Sequence, residues 1–309
     1  MIEIFHVSDL HFGKRFVTDC LAESLLKAIN REYPFAESDD RYLLVTGDIT
    51  DAGDEDQYAL AIEVLKPFAG KIILTPGNHD YGGARGTAYD ALKARYFDNP
   101  FAAALGFHWP FFDKRVFDCP LSDKLGNTLM MIGLSSCTKG GTWDDWARGE
   151  IGARQRKELS DKLAEYDANI PKILFLHHIP NKDADWKYFM TLMDWRELMA
   201  VVKKGNVDVL AFGHQGQLEV ASERTFYRRA LGRPMQVREF GKGLRRDRRA
   251  RPITVLDAND SVMEQKCYRI TLDGKQLKAE LIEDLYDKDF LGAVAISKYY
   301  RSIKKIKRK

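Results

Sequence analysis

Short apolar runs in this chain end, time after time, in a small block of Asp, Asn, His and Gly, and this pairing constrains the fold more than any other feature. The runs are 2–8, 41–46, 71–75, 172–177 and 207–212, and the blocks at their ends are Asp9-Leu10-His11, Gly47-Asp48, Gly77-Asn78-His79-Asp80, His177-His178 and Gly213-His214. Brief apolar runs bounded by turn residues read as buried strands, and 128–135 adds another. Amphipathic stretches at about 18–31, 54–66, 151–166 and 194–204 read as the helices between them. Strand–helix alternation of this kind predicts an α/β fold with a central sheet. In such sheets, loops from several strands converge at the carboxyl rim, where ligands bind. Asp9, Asp48, Asn78, His177 and His214 are therefore expected to meet there. After residue 215 the pattern shifts to strands, at 217–221, 253–257, 266–272 and 276–283, joined by turns such as Asp273-Gly274. These predict a second sheet packed on the first.

Carboxylates, imidazoles and one side-chain amide form a mixed nitrogen and oxygen donor set. Such a set suits Mn, Fe, Co, Ni or Zn better than Mg or Ca, which prefer oxygen throughout. An aspartate shared by two ions can hold them about 3.5–4 Å apart, the spacing that serves displacement at phosphorus. Water bound there becomes a nucleophile near neutral pH, and the ions neutralise charge as it develops. Each block alone also has an ordinary reading, because Gly-Asp and Gly-Asn are common turn pairs. The ordered set carries the argument. His6 and His108 read as structural or surface residues.

As a set, the blocks resemble the calcineurin-like metallophosphoesterases, whose pattern runs D-x-H, G-D-x-x-D, G-N-H-D/E, H and G-H-x-H. Gly47-Asp48-Ile49-Thr50-Asp51-Ala52-Gly53 and Gly149-Glu150-Ile151-Gly152 resemble the class III cyclic nucleotide phosphodiesterase branch, and the likeness covers about residues 1–220. The resemblance implies a four-layer α/β/β/α sandwich with two mixed sheets, forming one catalytic domain over 1–285. It implies that Asp9 and His11 bind a first metal, that Asp48 bridges two, and that Asn78, His177 and His214 complete the second. Manganese is the expected ion, with Fe, Zn, Ni and Co as alternatives. His79 is implied to touch the substrate phosphate and protonate the leaving oxygen, with Asp51 orienting its ring. Asn78 is placed beside the substrate and Asp80 supports its loop, while His178, next to the expected ligand His177, either makes a hydrogen bond or faces substrate. The implied function is hydrolysis of a phosphodiester (nucleotide or nucleic acid) or a phosphomonoester by metal-activated hydroxide. Ala52 stands where protein phosphatases of this kind carry an arginine, which counts against that substrate class.

The chain departs from the pattern at Gly213-His214-Gln215-Gly216-Gln217, where Gly216 replaces the last histidine. The first metal then keeps Asp9, His11 and Asp48, with Gln217 or a backbone carbonyl as substitute donors. Three outcomes follow: two metals with a weak first site, the second metal alone, or a catalytically weakened or inactive binding or scaffold module.

Net charge is only +3, but its distribution is uneven. Residues 224–251 hold eleven Lys or Arg against Glu239 and Asp247, and 290–309 hold seven with no acid, so the rest of the chain is acidic. Arg228-Arg229, Arg245-Arg246 and Arg248-Arg249, interleaved with Phe226, Tyr227 and Phe240, form a basic insertion suited to nucleic acid or another polyanion. The alternative is a solvated loop whose arginines pair with the acidic body. Ile296, Tyr299, Ile303 and Ile306 recur at helical spacing, so 286–309 reads as a basic amphipathic helix or tail. Such a helix either docks on the sheet or binds an anionic partner. No apolar run approaches the roughly 20 residues of a membrane span. Residues 2–5 read as a strand rather than a secretory leader, and Cys20, Cys119, Cys137 and Cys267 show no pairing pattern. A reduced, cytoplasmic setting is the expectation.

Overall fold

The computed structural model describes residues 1–83, 88–109, 115–137, 148–180, 192–214, 237–240, 253–258 and 261–287. Its strands are β1 (Ile2–Val7), β2 (Arg41–Thr46), β3 (Ile72–Thr75), the two-residue β4 (Gly82–Gly83) and β5 (Ala88–Tyr89), β6 (Phe117–Ser122), β7 (Thr128–Gly133), β8 (Lys172–Phe175), β9 (Val209–Phe212), β10 (Val237–Phe240), β11 (Ile253–Asp257), β12 (Cys267–Asp273) and β13 (Gln276–Ile282). The helices are α1 (Phe16–Glu32), α2 (Glu55–Leu65), α3 (Asn78–Tyr81), α4 (Ala91–Tyr96), α5 (Ala102–Ala104), α6 (Ala153–Glu165), α7 (Trp195–Lys204) and α8 (Ser261–Glu264). The arginine-rich insertion apart from β10, the tail beyond Asp287, and Gly216 lie outside the described residues.

Two mixed sheets form, in the orders β13-β12-β1-β2-β3 and β10-β11-β9-β8-β7-β6. β1, β2 and β3 run parallel, as do β7, β8, β9 and β11, while β12, β13, β10 and β6 add antiparallel neighbours. One expectation needs correction. The expected strand at 217–221 lies outside the described residues, and among the described residues the strands after 215 do not build a sheet of their own. β11 pairs with β9, whereas β12 and β13 extend the β1 edge. An unpaired edge exposes a row of backbone donors and acceptors, and the late strands cover one such edge on each sheet.

Side-chain alternation along the strands sets the layers, because successive residues point to opposite faces. Leu129, Met131, Ile173, Phe175, Val209 and Ala211 join a buried cluster with β1, β2, α1 and α2. Their neighbours Met130, Ile132, Leu174, Leu210 and Phe212 pack instead with Leu159, Leu163, Leu198 and Val202 of α6 and α7. The result is the sandwich: helices, sheet, sheet, helices. Helix ends follow local chemistry. α2 opens with Glu55 and Asp56, acids that favour a helix N-terminus, and Lys203-Lys204-Gly205 closes α7.

At the lower end of β1, Glu3 is buried at 5% exposure between two guanidinium groups. Arg41 donates to Glu3 Oε2 from Nε (3.0 Å) and Nη2 (2.6 Å), and Arg269 Nε donates to Oε1 (2.9 Å). Both cations lie over the Tyr33 ring, at 5.9 and 5.3 Å. This charge cluster ties β2 and β12 to the strand between them. Beyond β13, Leu285 is buried and Asp287 N donates to Ser24 Oγ of α1 (2.8 Å). Among the described residues, no helix is long and apolar enough to cross a membrane.

Candidate metal centre

The polar blocks all emerge at one rim, and the backbone there is unusual. Asp9, His11, Asp48 and His214 adopt left-handed conformations, with φ of 58°, 47°, 50° and 69°. For residues bearing a Cβ this region costs on the order of 1–2 kcal/mol each, and such strain persists where the surroundings over-determine it. Here a ladder continues past the sheet and fixes the two loops together. Asp9 N donates to Gly47 O (3.1 Å), His11 N to Asp48 O (2.9 Å), Phe12 N to Ile49 O (2.8 Å) and Asp51 N to Phe12 O (3.0 Å). Asp80 secures the third loop: its carboxylate accepts from Gly77 N (2.9 Å), Ile49 N (3.2 Å), Thr50 N (2.9 Å) and Thr50 Oγ1 (3.0 Å). The supporting role expected of Asp80 has this geometry. Two glycines leave room for neighbouring carboxylates. A Cβ at Gly213 would collide with Ser8 Oγ and Asp9 Oδ2, and one at Gly77 with the Asp48 carboxylate.

Among the described residues, three overlapping groups bring potential ligand atoms within 4.8 Å of one another: Asp9, His11 and Asp48; Asp48, His177 and His214; and His11, Asp51 and His79. Asp48 is shared by the first two. Its Oδ2 stands 3.8 Å from His11 Nε2, which is 3.9 Å from Asp9 Oδ1, and its Oδ1 stands 3.3 Å from His177 Nε2. His177 Nε2 also lies 3.2 Å from Asn78 Oδ1 and 2.9 Å from His214 Nδ1. The other nitrogen of His177, Nδ1, bonds to the Thr46 carbonyl (2.7 Å). That contact fixes the ring and turns Nε2 inward, the usual arrangement for a ligating imidazole.

The remaining candidates divide by position. His79 sits at the open side, its side chain 19% exposed, with Nδ1 2.6 Å from the Asp51 backbone carbonyl and 3.9 Å from the Asp51 carboxylate. His178 is fully buried, its Nδ1 2.7 Å from Ser136 Oγ and its ring 4.1 Å from the His214 ring, which places it behind the cluster rather than at the opening. His6 is buried away from the rim, bonded to Thr46 Oγ1 and stacked on Tyr268, and burial pushes its pKa down to about 3. His108 is exposed. The sequence reading missed Thr46 and Ser136. Thr46 acts through a backbone carbonyl, which leaves no residue signature.

Comparison with known proteins completes the assignment. The model of the calcineurin-like phosphoesterase family matches residues 2–218. The chain belongs to this family. It is 21% identical over 238 residues to the 3',5'-cyclic adenosine monophosphate phosphodiesterase CpdA of Haemophilus influenzae, covering 74% of each chain. It is 26% identical over 222 residues to a probable cyclic nucleotide phosphodiesterase of Fibrobacter succinogenes, covering 69% of this chain and 72% of the relative. In fold it is similar to a dimetal phosphatase from Danio rerio, with a TM-score of 0.62, 10% identity, and coverage of 93% of this chain and 99% of that one. It is also similar to a purple acid phosphatase from yellow lupin, Lupinus luteus, with a TM-score of 0.58, 13% identity, and coverage of 93% and 52%.

The donor set of this phosphoesterase fits divalent metal. Asp9 Oδ1 and His11 Nε2 are buried and make no hydrogen bond. An unsatisfied buried polar atom costs about 1–3 kcal/mol, and these two converge with Asp48 Oδ2 on one spot. Ligand atoms each about 2.0–2.2 Å from a shared ion stand about 3–4 Å apart depending on the angle between them, and the 3.8 and 3.9 Å separations here lie at the wide end of that range. Electrostatics agree. Burial alone would raise the Asp48 pKa, but the His177, His79 and His11 rings hold it well below the usual carboxylate range. Burial lowers His177, yet the Asp48 charge lifts it to about 9. His11 is pushed down, chiefly by burial, and Asp80 up to about 6, by burial and then by the charge of Asp48. Before a metal binds, the proton on His177 neutralises the Asp48 charge that a cation would otherwise meet.

Proposed function

We propose that this phosphoesterase is a divalent-metal-dependent phosphodiesterase acting on nucleotides. The observation that carries the reading is the pair of His/Asp groups joined through Asp48 beside the accessible His79. Asp9, His11 and Asp48 would hold one ion, and Asp48, Asn78, His177 and His214 a second, with manganese as the leading candidate. Bound there, such ions supply Lewis acidity and a water of lowered pKa. The chain's own residues do the rest. Asp48 sets the distance between the two halves of the site. His79, held through Nδ1 by the Asp51 carbonyl, presents Nε2 to the opening, where it donates a proton to the departing oxygen. His178, behind His214, positions that ring and does not meet substrate. The named relatives favour cyclic nucleotides among the diesters.

The test is hydrolysis of bis-p-nitrophenyl phosphate and of cyclic AMP after chelation, with and without Mn²⁺. Turnover is expected only with metal, and His79→Ala is expected to lower kcat about 10²- to 10⁴-fold, the usual contribution of a positioned acid. Metal-independent turnover, or a fully active His79→Ala protein, would overturn the assignment.

Gly216 supports a second reading, in which the first site is weak and the protein binds phosphate esters without hydrolysing them. Gly216→His separates the two. In a working enzyme limited by that site, the variant is expected to raise Mn²⁺ affinity about tenfold or more and kcat with it. A gain in affinity with no turnover in either protein favours the binding module.

A further inference from the structure

The third group at the rim joins His11, a metal ligand in the reading above, to Asp51 and His79, which hold no metal in that reading, and its geometry differs from the expectation for Asp51. His79 Nδ1 already has the Asp51 backbone carbonyl at 2.6 Å, while the Asp51 carboxylate stands farther off, at 3.9 Å. The same carboxylate oxygen lies nearer to His11, 3.5 Å from its Nδ1. His11 is buried at 5% exposure, and its two ring nitrogens face opposite ways: Nε2 toward Asp9 and Asp48, Nδ1 toward Asp51. A neutral imidazole that offers Nε2 as a lone pair must carry its hydrogen on Nδ1. That N–H is buried, and it needs an acceptor. Asp51 Oδ1 is the acidic oxygen within ion-pair reach of it among the described residues.

We propose that Asp51 is a positioning residue for His11: its carboxylate fixes the Nδ1–H tautomer and makes Nε2 a stronger donor to the first metal. The inference rests on the metal reading given above, and it concerns a site with little to spare. With Gly216 in place of the last histidine, His11 is the one imidazole the family pattern leaves to that ion. Carboxylate–histidine–metal relays of this kind are worth about 10- to 100-fold in metal affinity. The backbone carbonyl of Asp51 serves His79 whatever the side chain is, so orientation of the acid and support of the ligand can be separated by substitution.

The experiment is Co²⁺ titration of the full-length protein, followed by visible absorption and by elemental analysis after gel filtration, for wild type, Asp51→Asn, Asp51→Glu and His79→Ala. Asp51→Asn is expected to weaken one Co²⁺ equivalent about 10- to 100-fold and leave the other unchanged, with Asp51→Glu recovering part of the loss and His79→Ala binding as wild type does. Urea unfolding of the chelated proteins checks that Asp51→Asn folds normally. Equal binding of both equivalents by Asp51→Asn, or loss of both together, overturns the role of Asp51 alone. A wild-type protein that takes up no Co²⁺ overturns the metal reading itself, and this inference with it.

Discussion

Asp48→Asn is expected to reduce phosphoester hydrolysis at saturating Mn²⁺ by about 10³-fold or more. Asp48 belongs to both principal ligand groups, and its two oxygens face His177 and His11 separately. An amide of the same shape keeps the acceptor for His79 N–H (3.0 Å for the carboxylate), so the loop holds its form. It removes the charge that lifts His177 and that would neutralise cations. Metal-derived charge stabilisation is worth several kcal/mol, and about 4 kcal/mol corresponds to the stated factor at 1.36 kcal/mol per tenfold. Steady-state kinetics beside a circular dichroism spectrum checks it. A folded Asp48→Asn protein that keeps a tenth of wild-type turnover would remove Asp48 from the centre of the mechanism.

The largest effect on stability is expected far from the rim, at Glu3→Gln. The substitution leaves Arg41 and Arg269 facing each other across β1 without the anion that both bind. Removing one partner from a buried charge cluster costs about 3–5 kcal/mol, and the lower figure applies because Arg41 retains the Pro34 carbonyl and Arg269 retains Glu280. The pH dependence has a definite sign. Burial raises the Glu3 pKa, but Arg269 and then Arg41 outweigh it, so the folded value lies below the ordinary 4.5. Its contribution is therefore complete above that pH and fades as pH falls through the folded value. Urea unfolding is expected to separate wild type from Glu3→Gln by about 3 kcal/mol near neutrality and to bring the two together in acid. A gap that persists unchanged in acid would show that shape, not charge, holds Glu3 in place.

Much of this molecule was legible in its sequence, and the limits are physical. Strands buried on both faces stand out by their apolar cores, as in 43–45 and 173–175, and the polar residues beyond their ends fall at the rim. β6 escaped because Asp118, Pro120 and Ser122 interrupt its pattern. It is an edge strand, where proline is tolerated and one face meets solvent. The helix at Asn78–Tyr81 hid inside a motif read as a loop, since a single turn has no periodicity to detect. The assignment of late strands to two different sheets depends on which edges lie open, a property of the assembled fold that no local window contains. Residue types in the centre could be read, but not which oxygen of Asp51 faces which imidazole: its carbonyl lies 2.6 Å from His79 Nδ1, and its carboxylate stands nearer to His11.

The left-handed turns at Asp9, His11, Asp48 and His214 bear on what the protein can discriminate. A pocket that had to close around its guest would accept ions of many radii, each drawing the loops to its own distance. Here sheet ends and a backbone ladder fix the turns at Asp9, His11 and Asp48, and His214 N donates to Asp9 Oδ2 beside them. With metal bound as proposed, selectivity among ions would follow from the span of these turns and the donor chemistry.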